Sequence, residues 1–429
     1  MYTKEEIIDL IEKEDIEFIR LQFTDPFGEL RNVAVTAHSI EHVMEYGYEF
    51  DMNKVFSDFA DDDDDEYYLV PDLSTFAILP WRPQSSKVAR FICDICDEDG
   101  NEVEISPRSI LKKTVEYAKA QGYSFSINPE CEFFLYHTDD NGIPTTLTHE
   151  EAGYMDVSPL DLGENARRDM VIMLENMGFG IKSSHHEAAR AQHEIDFEED
   201  EPLEIADSFV TFKAALRSIA KGFGLHATFM PKPKMGQPGS GMHINIAAYK
   251  DDYNIFKELY RNVKKSSDAD ANFYIKQLKA SDKTDLGINF VSGINQHAAA
   301  MSMFTNPTVN SYKRERTLDI KLHKRRGEDI KAEVCFPDAA ANIYLVLSVL
   351  IRAGITGDIR KNENGNIFMI NNMPENLEEA VKLGIQDDCI LESMPEEFVN
   401  QYGGAKSQEW FEFMEQVTEW ELQKYLYRI

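Results

Sequence analysis

Acidic side chains recur inside apolar, strand-like runs of this 429-residue chain. The clearest case is the run ECEFFLY, which contains Glu130 and Glu132. Residues two apart on a strand point to the same face, so both carboxylates share one side of a sheet. Like charges buried that close cannot both stay ionised without compensation, and a bound cation is the simplest compensation. The run therefore predicts a strand with a cation-binding face.

Further carboxylates and imidazoles follow in similar settings. Glu187 and Glu194 lie in HHEAARAQHE, and His243 lies in the strand-like SGMHIN. Glu333 lies in KAEVCF. A single residue of this kind in an apolar run is more often a hydrogen-bonded polar group of the core than a metal ligand. Taken together they favour an oxygen-rich site with one imidazole, which suits Mg²⁺ or Mn²⁺ rather than zinc. Two or more such ions on one face suit phosphoryl chemistry on a nucleotide.

The charge balance restricts the partners of the chain. Its formal net charge is −32 at pH 7, so phosphate backbones and anionic lipid repel it, and nucleic acid and membrane surfaces are poor partners. No apolar run approaches the roughly 18 residues needed to cross a bilayer, and the amphipathic N-terminus lacks the apolar centre of a signal peptide. We therefore expect a cytoplasmic protein. Five scattered cysteines favour free thiols over a disulfide framework or a zinc site.

The chain is too long for one ordinary domain. Residues 1–105 predict a small domain of strand pairs with one leading helix, and residues 106–429 alternate strands and helices. The segment 408–427 predicts a single helix with an apolar stripe, and 261–285 predicts a polar surface insertion. The acidic run 58–66 predicts either a solvated loop or a calcium site.

The phosphate-binding candidate is a glycine-rich segment. Neither a Walker A sequence nor a G-x-G-x-x-G run occurs, so a P-loop or a Rossmann turn is excluded. Lys232 in FMPKPK precedes the run GQPGSG, and glycines let a backbone approach a ligand closely. A plain turn before a strand explains the same residues equally well.

Long blocks of the chain, in order, resemble glutamine synthetases of the bacterial type I. The blocks are FTDPFGELRNV, ECEFF, DLGENARRDM, SSHHEAARAQHEID, LHATFMPKPK, GSGMHIN, NPTVNSYKR, FPDAAANIYL and QVTEWELQKYL. The resemblance implies an α+β fold with an N-terminal β-grasp domain, residues 1–105, and a larger α/β catalytic domain, residues 106–429. It also implies a homo-oligomer, a dodecamer of two stacked hexameric rings whose active sites form between adjacent subunits.

The resemblance further implies a reaction and a set of site residues. In the family, ATP phosphorylates the side-chain carboxylate of glutamate, and ammonia then displaces the phosphate. Asp51 would bind and deprotonate ammonium, Arg314 would contact the glutamate carboxylate, and Gly239 would offer a backbone contact to substrate. The implied ligands of Mg²⁺ or Mn²⁺ are Glu130, Glu132, Glu187, Glu194, His243 and Glu333. The residues expected at the nucleotide are Lys232, Asn245 and Lys331.

The chain departs from the family at several of these positions. Met52-Asn53-Lys54 stands where the family has Gly-Ser-Ser after the ammonium-binding aspartate. Pro238 replaces an asparagine before the Gly-Ser-Gly motif, which removes an amide that would help to hold substrate. Cys335 replaces an arginine two positions after the last metal-binding glutamate, and a thiol does not replace a guanidinium that binds phosphate.

The segment between Arg314 and Glu333 is much shorter than in the family. The flap whose glutamate shields the phosphorylated intermediate from water is missing, and so are two arginines that stabilise the transferring phosphoryl group. The loss of one such cation can cost on the order of 10³ in rate. Basic residues of the short segment either replace these arginines or form a basic surface strand: Lys321, Lys324, Arg325 and Arg326.

Three functions stay open on this basis. The first is a working ATP-dependent ligase that makes glutamine or joins another acid to another amine. The second is a catalytically impaired paralogue that binds nucleotide and metal, and that regulates or co-assembles with an active glutamine synthetase. A purely structural ring protein is disfavoured, because it would not need the carboxylate cluster.

Overall fold

A computed structural model of the chain describes residues 2–56, 59, 66–265, 286–357 and 372–428. Nearly all of the acidic run 58–66 and most of the predicted insertion 261–285 lie outside the described residues. None of the described helices is both long and apolar enough to cross a membrane.

The N-terminal part of the chain forms a mixed sheet of six strands. Its elements are α1 Lys4–Lys13, β1 Ile16–Thr24, β2 Leu30–Thr36, α2 Ile40–Tyr46, β3 Tyr48–Phe50, α3 Asn53–Phe56, β4 Tyr67–Pro71, β5 Ala77–Ile78 and β6 Lys87–Cys96. The strand order is β2-β1-β6-β4-β3, with β5 beside β6. Strand β1 runs antiparallel to β2 and parallel to β6, so the first and last strands of this part are neighbours.

The remainder of the chain surrounds an eight-stranded sheet. Its elements are α4 Pro107–Ala120, β7 Tyr123–His137, α5 Glu164–Glu175, β8 Ile181–His186, β9 Gln192–Phe197, α6 Pro202–Gly222, β10 Leu225–Thr228, β11 Met242–Lys250, β12 Tyr253–Asn254, α7 Lys257–Lys265, α8 Leu286–Thr305, β13 Ile320–His323, β14 Lys331–Val334, α9 Ile343–Thr356, α10 Leu377–Gly384, α11 Asp388–Ser393, α12 Glu396–Met414 and α13 Glu419–Tyr425. The strand order is β13-β14-β11-β7-β9-β8, and β7 is paired antiparallel with β11 and with β9.

Strand β7 divides the large sheet into an apolar face and a polar face. Cys131 and Phe133 are fully buried, and Phe133 packs edge-on against Phe212 of α6 at 6.3 Å between ring centroids. A fully buried Phe side chain contributes about 1.5–3 kcal/mol to stability. Because side chains alternate along a strand, this packing fixes Glu130 and Glu132 on the opposite face.

The C-terminal segment contains two helices, so the prediction of one helix over 408–427 is wrong. Helix α12 ends at Met414, and α13 begins after Thr418. Thr418 and Glu421 form a capping box, in which each side chain binds the backbone N–H of the other. The predicted apolar stripe is largely exposed in the single chain, with Phe411 and Trp420 each more than half accessible.

Arg108 of α4 joins the two parts of the chain. Its guanidinium lies 2.7 Å from Asp72 and 2.5 Å from Asp94, both in the N-terminal part, and 2.8 Å from Asp207 of α6. The arginine is 3% exposed, so these charge-assisted hydrogen bonds form away from water. The hydroxyl of Tyr344 also donates to Asp207, at 2.6 Å.

Removal of this guanidinium would leave three carboxylates without their shared cation. We expect Arg108→Ala to lower the free energy of unfolding by about 3–5 kcal/mol, the usual cost of breaking a buried ion pair. The change is measured from the midpoint of urea denaturation. Lys113→Ala on the same helix is the matched control, because its ion pair with Glu104 is exposed and contributes at most about 1 kcal/mol. Equal effects of the two substitutions would contradict a joining role for Arg108.

Candidate metal and nucleotide site

The predicted metal ligands lie on the polar face of the large sheet. Across the ladders, Glu132 of β7 stands opposite Glu194 of β9, and Glu130 stands opposite His243 of β11. Glu333 of β14 stands opposite Asn245, two residues beyond His243. Directly opposed residues share a face. We call this surface the acidic face; its members are Glu130, Glu132, Glu187, Glu194, His243 and Glu333.

Glu187 reaches the acidic face from the end of β8. It is the first residue after the strand, and its carboxylate lies 3.0 Å from Nε2 of His185. His185 in turn stands opposite Glu194 on β9. Glu194 thus lies close to Glu187, which follows β8, and to Glu130 of β7.

Donor atoms on this face form three groups, and within each group all the donor atoms lie within 4.8 Å of one another. The groups are His185, Glu187 and Glu194; Glu130, Glu194 and Asp196; and His243, Glu333 and Cys335. Three of these residues, His185, Asp196 and Cys335, were not predicted as ligands. Each lies two positions from a predicted ligand, so the two-residue period of a strand is the signal that finds them.

The ionisation of the acidic face reflects its crowding. Burial, a hydrogen bond to Asp196 and the charge of Asp196 raise the pKa of Glu194 to about 10. Burial likewise raises the pKa of Glu132. Burial also opposes ionisation of Glu333, but the hydrogen bond from His243 at 3.1 Å outweighs it and lowers the pKa of Glu333 to about 2. Without a cation, the face thus keeps a proton on one of its carboxylates.

Fixed hydrogen bonds orient the carboxylates. Glu132 accepts from the backbone N–H of Gly241 and from the amide of Gln192, both at 2.8 Å. Glu130 accepts from the amide of Asn245 at 3.1 Å. Carboxylate oxygens with one central imidazole form the donor set that Mg²⁺ and Mn²⁺ prefer, so the residues present fit such an ion.

Two cavities open on either side of Glu132 and Glu187, which line both. The Gly239 cavity, about 640 Å³, is also lined by Lys232, Pro238, Gly239 and Arg314. The Tyr154 cavity, about 660 Å³, is also lined by Tyr154, His185, Asp196, His243 and Arg325. A bound molecule in either cavity would touch the acidic face.

Gly239 and Arg314 meet in the first cavity. A Cβ on Gly239 would lie 2.2 Å from the carbonyl oxygen of Pro231 and 3.1 Å from Cγ of Arg314, so only glycine fits there. Arg314 donates to the backbone carbonyls of Phe336 and Pro337 at 3.0 and 2.9 Å. These bonds hold its guanidinium beside the cavity.

The three residues predicted at the nucleotide lie in different places. Lys232 lines the Gly239 cavity, and its ammonium contacts the carbonyl of Gln237. Asn245 is buried and lies between Glu130 and His323, at 3.1 and 2.6 Å. Lys331 is 2% exposed and is held 2.6 Å from Glu199 and 2.8 Å from Asn128. Among the described residues, the linings of the two cavities include neither Asn245 nor Lys331.

Asp51 lies apart from the acidic face of its own chain. It follows β3, it is exposed, and its carboxylate pairs with Lys54 at 2.8 Å. Among the described residues that line the two cavities, Asp51 does not appear. Within the described part of a single chain, the lining of the Gly239 cavity thus includes Arg314 but not Asp51.

Comparisons with known proteins identify the family of the chain. The family model "Glutamine synthetase, beta-Grasp domain" matches residues 15–98, and "Glutamine synthetase, catalytic domain" matches residues 104–425. The glutamine synthetase of Clostridium saccharobutylicum is 40% identical over 457 aligned residues, which cover 99% of each chain. The chain belongs to the glutamine synthetase family. The glutamine synthetase of Thermus thermophilus is 37% identical to this chain, again over 99% of each chain.

Two solved structures share the fold. The cryo-EM structure of Plasmodium falciparum glutamine synthetase superposes with a TM-score of 0.81 at 22% identity, over 99% of each chain. A structure described as a GmaS/ADP complex gives a TM-score of 0.80 at 24% identity, over 98% of this chain and 99% of that one. The predicted family and the predicted fold, a β-grasp domain joined to a larger catalytic domain, are confirmed.

The relatives carry residues that this chain lacks. The alignment with the clostridial glutamine synthetase spans 457 positions, more than the 429 residues of the chain. The shortened segment before Glu333 stays a prediction. In the structure this segment is the short hairpin of β13 and β14.

A second polar cluster lies behind the acidic face. His186 of β8 stands opposite His193 of β9, on the face opposite to His185 and Glu194. His186 donates to the carbonyl of Glu187 at 2.7 Å and pairs with buried Glu150 at 2.5 Å. The cluster therefore fixes the backbone of a predicted metal ligand, although sequence reasoning did not identify Glu150.

The pair of Glu150 and His186 should make stability depend on pH. Burial opposes both charges, but the mutual hydrogen bond lowers the pKa of Glu150 to about 2 and raises that of His186. The contribution of Glu150 is lost as pH falls from about 4 towards 2, because its unfolded pKa is about 4.3. The contribution of His186 is complete below its unfolded pKa of about 6.5 and is lost as pH rises through its higher folded pKa.

We therefore expect Glu150→Gln to be most destabilising between about pH 5 and 6.5, by about 2 kcal/mol, since the pair is charged there. Urea denaturation midpoints of both proteins at pH 3 to 9 measure the difference. Glu151→Gln is the control, because Glu151 is exposed and pairs with Arg190 at the surface. A penalty for Glu150→Gln that does not vary with pH would contradict the ion pair.

Proposed function

We propose that the chain is an ATP-dependent ligase that forms an amide from the side-chain carboxylate of glutamate and ammonia or an amine, through an acyl phosphate. The acidic face carries this proposal: five of its six members belong to three groups of close donor atoms, and the sixth, Glu132, lines both neighbouring cavities. Six polar positions in a largely apolar sheet are costly unless they bind something. Membership of the glutamine synthetase family supports the same reaction class.

The residues present fit Mg²⁺ or Mn²⁺. The proposed ligands are Glu130, Glu132, Glu187, Glu194, His243 and Glu333. When bound, such ions would neutralise phosphate charge during transfer. The proposal places the nucleotide in one, and the acid in the other, of the two cavities that share Glu132 and Glu187. It also divides the chain into two domains, residues 1–105 and 106–429.

The chain's own side chains would orient the acid in the Gly239 cavity. Arg314 is held by two carbonyls and can turn its remaining N–H groups to a substrate carboxylate, since a guanidinium carries five donors. The backbone of Gly239 lies beside it and has no Cβ to exclude substrate. Lys232 lines the same cavity, so it would neutralise a phosphoryl group transferred to the acid. Asn245 and Lys331 would act at the nucleotide indirectly, because they orient Glu130 and Asn128.

The site would be completed by a neighbouring subunit. Asp51 is exposed and is absent from the described linings of the two cavities, so its proposed role at ammonium fits a site that a second copy completes. The accessible apolar side chains of α12 and α13, including Phe411, Trp420 and Leu422, fit burial against another subunit. We propose a homo-oligomer, as a dodecamer of two hexameric rings.

One observation favours a catalytically impaired alternative. Cys335 lies 3.3 Å from the carboxylate of Glu333, at the position where the family resemblance implies an arginine. A buried thiol supplies no positive charge for phosphate, and burial raises its pKa to about 12. In this alternative the protein binds nucleotide and metal, and it regulates or co-assembles with an active glutamine synthetase.

The hydroxamate assay tests the ligase. With glutamate, hydroxylamine, ATP and Mg²⁺, the wild-type protein should form γ-glutamyl hydroxamate. Glu333→Ala should lower the rate at least about 100-fold, because even indirect partners of a metal cost 10- to 100-fold. Glu116→Ala, an exposed position on α4, is the control and should leave the rate unchanged. Nucleotide binding by the wild-type protein without any product would support the impaired alternative instead.

Mixed oligomers test the contribution of the partner subunit. Asp51→Asn and Glu333→Ala chains should each be inactive alone. Co-expressed in equal amounts, they should regain about a quarter of wild-type activity, because some sites combine an intact Asp51 from one chain with an intact Glu333 from the next. Activity of purified mixed oligomers measures this. No recovery in a mixed oligomer shown by mass spectrometry would place the whole site within one chain.

A further inference from the structure

A sulfur atom borders the acidic face just beyond the end of β14. Cys335 is the first residue after the strand, and it is buried. Its Sγ lies 3.3 Å from Oε1 of Glu333, which is two positions earlier in the chain. The resemblance to glutamine synthetases implies an arginine at this position, so the family pattern assigns no metal ligand to it.

Nitrogen and oxygen donors lie close to this sulfur. Nδ1 of His243 lies 3.1 Å from the same Oε1 of Glu333. The donor atoms of His243, Glu333 and Cys335 all lie within 4.8 Å of one another. Ligands at about 2.0–2.3 Å from a tetrahedral ion lie about 3.3–3.7 Å apart, so small shifts of these side chains would close them around one ion.

The carboxylate of Glu130 turns one oxygen towards the same place. Its Oε1 accepts from Asn245 at 3.1 Å and from Arg325 at 3.0 Å. Its Oε2 lies 3.9 Å from Nδ1 of His243, the residue that stands opposite Glu130 in the sheet. The cluster of His243, Glu333 and Cys335 therefore has a fourth donor within reach.

Sulfur sets this cluster apart from the rest of the acidic face. The other two groups of donor atoms there consist of carboxylates with at most one imidazole. Such oxygen-rich sets suit Mg²⁺ or Mn²⁺. A thiolate together with an imidazole suits Zn²⁺ or Co²⁺, because these ions accept soft ligands and Mg²⁺ prefers oxygen. The two ends of the face therefore offer ligands to different ions.

The contacts that this cluster makes without an ion are replaceable. The thiol of Cys335 donates a weak hydrogen bond to the carboxylate of Glu333. The ammonium of Lys321 lies 3.7 Å from Oε1 of Glu333, and its side chain is half exposed. An exposed pair of this kind is weak, so Lys321 can turn to water when an ion binds.

We propose that Cys335 is a ligand of a divalent ion that His243, Glu333 and Glu130 also hold, and that this position selects Zn²⁺ over Mg²⁺. The inference rests on the proposed function, which takes the acidic face as a metal site, and it adds both a ligand and a class of ion. The ion replaces the thiol proton, which passes to solvent, because the thiolate is the form that binds a metal. The oxygen-rich groups remain for the Mg²⁺ or Mn²⁺ that accompanies a nucleotide.

Co²⁺ is the probe for this ligand, because a thiolate bound to Co²⁺ gives a charge-transfer band in the near ultraviolet that oxygen and nitrogen ligands do not give. Wild-type protein titrated with Co²⁺ should develop the band. Zn²⁺ should abolish it by displacing Co²⁺, whereas a large excess of Mg²⁺ should not. Cys335→Ser should lack the band and bind Zn²⁺ at least about ten-fold more weakly, since even indirect partners of a metal cost about 10- to 100-fold.

Cys96→Ser is the matched control, because Cys96 is a buried thiol of β6 in the other sheet. It should keep both the band and the affinity for Zn²⁺. Mn²⁺ binding, followed by electron paramagnetic resonance, should persist in Cys335→Ser through the oxygen-rich groups. That measurement distinguishes the loss of one ligand from the loss of the fold.

Three results would overturn the inference. The first is wild-type protein that binds Co²⁺ without the band, whatever the variants do. The second is a band that Cys335→Ser retains or that Mg²⁺ removes as readily as Zn²⁺ does. The third is loss of Mn²⁺ binding together with the band in Cys335→Ser, since a merely structural residue behaves that way.

The same experiments separate this inference from the proposed function. If the band forms as expected but the protein makes no hydroxamate with any of these ions, the proposed ligase fails and the role of Cys335 stands. If the protein makes hydroxamate with Mg²⁺ but Co²⁺ gives no band, the role of Cys335 fails and the ligase stands.

Discussion

Repulsion between carboxylates on one face of the large sheet is the constraint to which the rest of the site responds. Glu130 and Glu132 lie on β7, which is hydrogen-bonded along both edges, so the strands cannot separate to relieve the charge. Relief comes instead from the backbone N–H of Gly241, the imidazole of His243 and a proton on Glu194. A divalent cation that replaced this proton would relieve the remaining repulsion between the carboxylates.

The two-residue period of β8 and β9 places a structural network directly behind this face. His185 and Glu194 point to one side, and His186 and His193 point to the other. Arg167 can only donate, so the hydrogen bond at 2.7 Å makes Nδ1 of His193 the acceptor and leaves the ring proton on Nε2. Burial and the charge of Arg167 keep the pKa of this histidine well below its usual value. The backbone of Glu187 is supported by His186, whose ring packs edge-on against His193 at 4.9 Å between centroids.

Sequence reasoning found the parts of the site that depend on local periodicity. Glu130 and Glu132 were predicted because residues two apart on one strand share a face. Asp196 was passed over, although it lies two positions from Glu194 and the same rule applies. The proximity of Arg325 to Glu130 depends on how a hairpin docks, and no local pattern contains that information. The break between α12 and α13 was missed because apolar spacing continues across it, while the capping pair at Thr418 decides the boundary.

The position of Arg108 has a consequence for how the chain is made. Asp72 and Asp94 leave the ribosome before this arginine does, and Asp207 follows about a hundred residues later. The first sheet can form its strands early, but Asp72 and Asp94 stay without Arg108 until α4 has emerged, and Arg108 gains its third carboxylate partner only with α6. Completion of the N-terminal part therefore depends on the first helix of the catalytic part, and truncated chains that end before α4 should be targets for chaperones and proteases.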